Sequence, residues 1–241
     1  MAGKTPARSM VAALGLAALA ACTSPVMPGP MAGEASTTVD ILDYLVGDAS
    51  TWPRIGALYM NQVVDPVAQE ICWVKYGNPR RFECWRWDDR YVYHETDNAI
   101  DGNTGESYHF SDGRWLPRYL PVGGQPWSLD VAANRLIWFT PQCTVDASRS
   151  GAFPYAQRAW LEGTIDAGGD LGPRETVILE YAPYDPASGR SNPERFYFGR
   201  GAGWYRWSRD AADLQFNRRF SRVITTDRSV WCNAPEAASG R

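Results

Sequence analysis

From about residue 69 the chain alternates apolar and polar residues in short runs rich in Val, Ile, Trp, Tyr and Phe. A period of two over four to eight residues marks a half-buried strand. The breaks are turn formers: Gly77-Asn78-Pro79, Asp101-Gly102-Asn103-Thr104-Gly105, Ser111-Asp112-Gly113 and the segment 185–193. Strands are accordingly predicted at 69–76, 80–87, 90–95, 106–110, 135–140, 175–182, 194–199, 203–208 and 219–226. No repeat of fixed period interrupts this order, which predicts a mainly β fold, an antiparallel β-sandwich or open barrel. One or two short helices precede it. Residues 38–46 read as the first, with Thr37 and Asp40 as a weak capping pair, Ile41, Leu42 and Leu45 on one face and Gly47 at the end. A second turn starts at Ser50-Thr51, with Pro53 in its first turn.

The first 22 residues follow a different pattern. Met1 to Ser9 carries Lys4 and Arg8, Met10 to Ala18 is uncharged and mostly apolar, and Leu19-Ala20-Ala21-Cys22 follows. A basic start, a short apolar run and small residues before a cut describe an export signal. The apolar run is too short to span a bilayer, which takes roughly 20 residues. Leu19-Ala20-Ala21-Cys22 resembles the lipobox of bacterial lipoproteins. That resemblance implies a leader of residues 1–21, cleavage before Cys22, a diacylglycerol thioether on Cys22 and acylation of its new amine. It covers about a tenth of the chain, but its motif is specific. Thr23 stands where an Asp would signal retention at the inner membrane, so in a two-membrane host the resemblance implies the outer membrane. Residues 22–37, rich in Pro, Gly, Ser and Thr, read as the lipidated cysteine and a flexible tether. Residues 38–241 then form a single domain.

Composition agrees with this division. The 22 Gly and 17 Pro suit a turn-rich β protein better than a helical bundle. A formal charge of −3 and the lack of a basic run argue against nucleic acid as a partner. All but two of the 24 basic residues are Arg, the exceptions being Lys4 and Lys75. A GC-rich genome accounts for that bias. Selection of a guanidinium that stacks on aromatics is the competing account.

Beyond Cys22 there are Cys72, Cys84, Cys143 and Cys232, an even number in an exported chain. A hairpin centred on Asn78 sets Cys72 opposite Cys84, within disulfide range. That leaves Cys143 and Cys232 to bond each other. Zinc is the competing use of four cysteines, but the chain has no CxxC pair and its two histidines, His94 and His109, are not spaced for it.

The chain has eleven Trp, and several cluster on predicted hairpins. In the first, Trp73, Trp85 and Trp87 share a face with Lys75 and Glu83, while Val74 and Phe82 join the cysteines on the other. A turn centred on Gly201 sets Phe198 opposite Trp204, Tyr197 opposite Tyr205 and Arg195 opposite Trp207. Phe196, Phe198 and Trp204 then lie on one face, with Tyr197, Tyr205 and Trp207 on the other. An exposed row of Trp204, Tyr205, Trp207, Trp85 and Trp87, rimmed by Arg195, would stack on sugar rings. Packing in a β core is the other use of such residues.

Catalytic motifs are sparse. There is no GxSxG, HExxH or Walker loop. Within 94–101, Glu95 and Asp97 are expected to face one way on a strand beside His94, a set of groups able to divide acid and base roles in glycan hydrolysis or lysis. The adjoining turn offers Asp97, Asp101, Asn103 and Glu106 as oxygen ligands for a structural Ca²⁺, or is a plain hairpin turn. No other cofactor is expected. The function read from these features is a membrane-anchored envelope lipoprotein acting as a binding module for a glycan. The alternatives are a glycan-active enzyme and a structural or assembly lipoprotein that binds another envelope protein.

Overall fold

The structure is a computed structural model, described here for residues 37–47, 54–55, 58–110, 112–185, 190–191, 193–210, 212–216 and 226–232. The leader, Cys22, the tether and the helical turn expected at 50–53 lie outside these residues, as does nearly all of the strand expected at 219–226.

The chain runs β1 (Thr38–Asp40), α1 (Leu42–Leu45), β2 (Arg54–Ile55), β3 (Leu58–Asp65), β4 (Glu70–Lys75), β5 (Phe82–Trp87) and β6 (Tyr91–Asn98). It continues through β7 (Ser107–Phe110), β8 (Arg114–Pro117), β9 (Tyr119–Pro121), β10 (Trp127–Phe139), β11 (Gly151–Asp166) and β12 (Pro173–Asp185). Last come β13 (Arg190–Ser191), β14 (Glu194–Gly199), β15 (Gly203–Arg209) and β16 (Ala212–Gln215). The fold is mainly β, as the alternation predicts. One antiparallel meander runs β2-β3-β4-β5-β6-β7-β10-β11-β12-β14-β15-β16, and its end strands β2 and β16 come into contact. The sheet therefore curls around one shared interior as an open barrel. Curling turns one face of the meander inward, so that a strand such as β6 alternates buried and half-buried residues.

The interior is aromatic. Trp73, Trp85, Trp115, Phe196, Phe198 and Trp204 pack there with Ile71, Val177 and Leu179. Trp85 is the hub: its ring lies 5.4 Å from Phe198, 6.2 Å from Trp115 and 6.4 Å from Trp204. Burying an aromatic side chain of this size contributes about 1.5–3 kcal/mol.

Residues 38–46 depart from the expected helix. Thr38–Asp40 pair with Tyr119–Pro121 as strand, leaving a single helical turn whose Leu42 N–H is met by Asp40 Oδ1 at 3.0 Å. That turn closes one end of the barrel. Ile41, Tyr44 and Leu45 enter the interior core, and Asp43 O accepts from Gly201 N at the β14–β15 turn. Gln62 locks the plug, accepting from Gly47 N and donating to Leu45 O. Gly203, at φ 77°, is required beside it, because a Cβ there would fall 1.9 Å from Gln62 Nε2.

Both disulfides form as the hairpin argument predicts. Cys72 lies directly opposite Cys84 with Cα atoms 4.1 Å apart, and Cys143 bonds Cys232. The second bridge straps residues 226–232 over the outer face. There Trp231 stacks on His109, and the Asp227 carboxylate pairs with Arg80.

Candidate functional site

At the end of the barrel away from α1, the strands enclose a cavity of about 430 Å³. Its position follows from strand direction: β14 and β15 meet α1 at Gly199–Gly203, whereas Glu194 and Arg209 at their other ends line the cavity. The walls are Trp204 and Trp207 from β15, Phe196 from β14, Tyr181 from β12, Trp138 from β10, and Tyr108 and Phe110 from β7. Tyr76 stands at the mouth, 43% exposed and in the left-handed region at φ 60°.

Two β-bulges set which side chains point inward. On β6, Glu83 pairs with Asp97 and Cys84 with Thr96, but Trp85 pairs with His94, leaving Glu95 as the extra residue. On β15, Phe198 pairs with Trp204 but Tyr197 with Arg206, leaving Tyr205 extra. A bulge breaks the period of two, so residues three apart come to share a face. His94 and Asp97 thus both face the cavity, as do Trp204 and Trp207.

These bulges correct two expectations. Glu95 and Asp97 do not face the same way: Glu95 pairs with Arg86 on the outer face, and burial raises its carboxyl above the ordinary value. Tyr197 faces Arg206, not Tyr205, and Phe196, not Arg195, lies opposite Trp207.

The polar centre of the cavity is Lys75, whose Nζ lies 2.8 Å from Glu83 Oε2 and 2.8 Å from Asp97 Oδ2. Burial would push this ammonium down, but Asp97 and Glu83 together hold it above its ordinary value. A lysine so held is a fixed cation, not a nucleophile. Glu83 Oε1 also accepts from Trp85 Nε1 at 3.0 Å, and Tyr108 OH donates to Asp97 Oδ2 at 3.4 Å. Across the cavity Glu194 accepts from Trp207 Nε1 and Arg209 Nη1, each at 3.0 Å. Its carboxyl is nonetheless raised, chiefly by burial.

His94 is 2% exposed, and burial pushes its imidazole down to about 3, so the ring is neutral. Its Nε2 lies 3.2 Å from Glu83 Oε1, and neither ring nitrogen makes a hydrogen bond of ordinary geometry, although the Thr96 backbone lies within reach of the ring. Buried polar atoms without partners are uncommon and call for an explanation.

The other expected site residues are spread out. Trp85 and Trp87 are buried in the interior core, and Trp204 and Tyr205 are 4% and 1% exposed. They form no flat outer row, and Tyr205 packs outside the barrel wall with Leu171 and Ile178. Of the aromatic set only Trp204 and Trp207 line the cavity. Arg195 lies on the outer face, where it and Arg158 both bind Glu180. The oxygen ligands expected for Ca²⁺ do not converge: Asp97 is held by Lys75, Asp101 is bonded by Asn78, and Glu106 pairs with Arg149, while Asn103 is exposed in the turn. Glu70, Cys72 and Cys84 lie close enough to suggest a metal group. Both sulfurs are in a disulfide, however, so neither is a thiolate ligand.

Sequence reasoning missed Glu194, Tyr108 and Trp138 as site residues. Lys75 and Glu83 fall on the tryptophan face by strand alternation, which says nothing of their role. A signal existed, because Lys75 is the one lysine after residue 4 in a chain that uses arginine everywhere else. No protein-family model, curated protein or solved structure was found to match the chain.

Proposed function

We propose that the chain is a lipid-anchored envelope protein whose β domain binds one small ligand in the open end of its barrel. The observation that carries this reading is the cavity of about 430 Å³, walled by aromatic rings around a buried Lys75–Glu83–Asp97 cluster. That volume, and apolar walls with a few converging polar groups, match sites for ligands of one or two rings. Closure of one end by α1 favours a dead-end pocket over a channel. A sugar chain finds no open aromatic row to lie along, so a glycan enters by a terminal residue. Binding is favoured over hydrolysis, since Glu95 lies on the outer face and Lys75 occupies Asp97.

Two measurements test the two halves of the proposal. Ligand binding should quench the fluorescence of Trp207, and Trp207→Phe should lose most of that change. If no member of a panel of sugars and small aromatic compounds alters the emission of the purified lipoprotein, the pocket reading fails. For the anchor, radiolabelled palmitate should enter the chain in growing cells and be lost in Cys22→Ala. Equal labelling of that variant would overturn the anchor.

A further inference from the structure

We infer that the ligand of this cavity is a compact organic cation, an amine or quaternary ammonium carried on an aromatic or apolar body. The inference rests on the pocket reading above and adds to it the charge of the occupant. Counted at their ordinary charges, the lining residues supply three carboxylates, Glu83, Asp97 and Glu194, against two cations, Lys75 and Arg209. His94 adds nothing, because burial keeps it neutral. The cavity therefore carries one surplus negative charge in a setting where charge is poorly solvated. Such a charge is costly unless a counter-charge joins it.

All three carboxylates line this one space. Glu194 feels both Glu83 and Lys75, and Tyr108 feels Asp97, Glu83 and Glu194. Around them the walls present indole and phenol rings, whose faces attract cations most strongly when water is excluded. Trp207 bonds Glu194, and Tyr108, beside Asp97, packs on Trp138 at 4.9 Å, so each acid sits next to an aromatic surface. A second, independent feature points to an occupant: His94 faces this space fully buried, with no hydrogen bond of ordinary geometry at either ring nitrogen. A neutral imidazole accepts at one nitrogen, and an ammonium N–H is a donor it can accept from.

Three probes of nearly equal shape separate charge from fit: 2-phenylethylammonium, 2-phenylethanol and phenylacetate. Titrated into the intact lipoprotein in neutral detergent at pH 7, the cation should bind about tenfold more tightly than the alcohol, with the anion weakest. Glu194→Gln removes the surplus and should bring cation and alcohol to within about threefold, while Arg209→Gln enlarges it and should widen the gap. The opposite signs separate a charge effect from loss of folding, which would weaken all three probes together. Alcohol or phenylacetate binding as tightly as the cation overturns this inference and leaves the pocket reading standing. Failure of all three probes, with sugars also inert, removes both.

Discussion

The two faces of the β4–β5 hairpin are built from neighbouring residues and do opposite things. Outward, Cys72, Val74, Phe82 and Cys84 form a small closed cluster, bridged covalently and covered by Trp231. Inward, Trp73, Lys75, Glu83 and Trp85 mix large rings with charges, and the surrounding cavity contains polar atoms without partners. The outer face is finished: each group has a partner within the chain, and its bonds resist unfolding. The inner face near the cavity keeps an ion cluster where an apolar core would be more stable. A chain that spends stability on one side and secures it on the other locates its ligand site on the first.

Several substitutions sharpen this contrast. The largest effect should come from the outer side, where Cys143–Cys232 joins residues 89 apart in sequence. Replacing both by Ser should remove roughly 4–5 kcal/mol, against roughly 3 kcal/mol for the shorter Cys72–Cys84 loop, as read from urea unfolding. Reversal of that order would mean that the tail strap does not limit the unfolded chain.

Next is Lys75→Met, which leaves Glu83 and Asp97 facing each other in the interior. A loss of about 3 kcal/mol at pH 7 is expected, since breaking a buried ion cluster strands its remaining charges. The double variant Glu83→Gln/Asp97→Asn on that background should recover part of it.

Smaller per pH unit, though cumulative, is a pH effect. His94 in the unfolded chain takes up a proton near 6.5, whereas the buried ring does so only near about 3. The unfolded state therefore binds more protons across this window. Stability should fall as pH drops from 6.5 toward 3, by up to about 1.4 kcal/mol per pH unit from this group. Comparison with His94→Gln isolates the contribution, and parallel curves for the two proteins would refute it.

The smallest change should be Glu95→Gln. It removes only a partly exposed pair with Arg86, worth less than about 1 kcal/mol, and should leave binding intact. Loss of binding in this variant would return Glu95 to the site.

Much of the fold was legible because alternation and turn chemistry are local. The Cys72–Cys84 register followed from counting about Asn78, and the tryptophan face carrying Lys75 and Glu83 came out of the same count. What the count could not see were the bulges. One extra residue at Glu95 or Tyr205 reverses the facing of everything beyond it, and neither position carries a Gly or other turn signal. Strand β11 escaped for another reason. Half of its 16 residues are Ala, Gly, Glu, Asp or Pro, weak strand formers whose preference is overridden by pairing with β10 and β12 on both sides. The cavity lay beyond local reasoning altogether, because its walls come from strands as distant as β4 and β16.

The scarcity of lysine has a practical consequence. Between residues 22 and 241 a lysine-specific protease can recognise one peptide bond, Lys75–Tyr76, and the side chain it must grip is clamped inside the barrel. Cleavage there should be negligible while the strands are closed and should report their opening as a single cut. Any occupant that seals the barrel mouth should slow that clock, whatever its chemical identity.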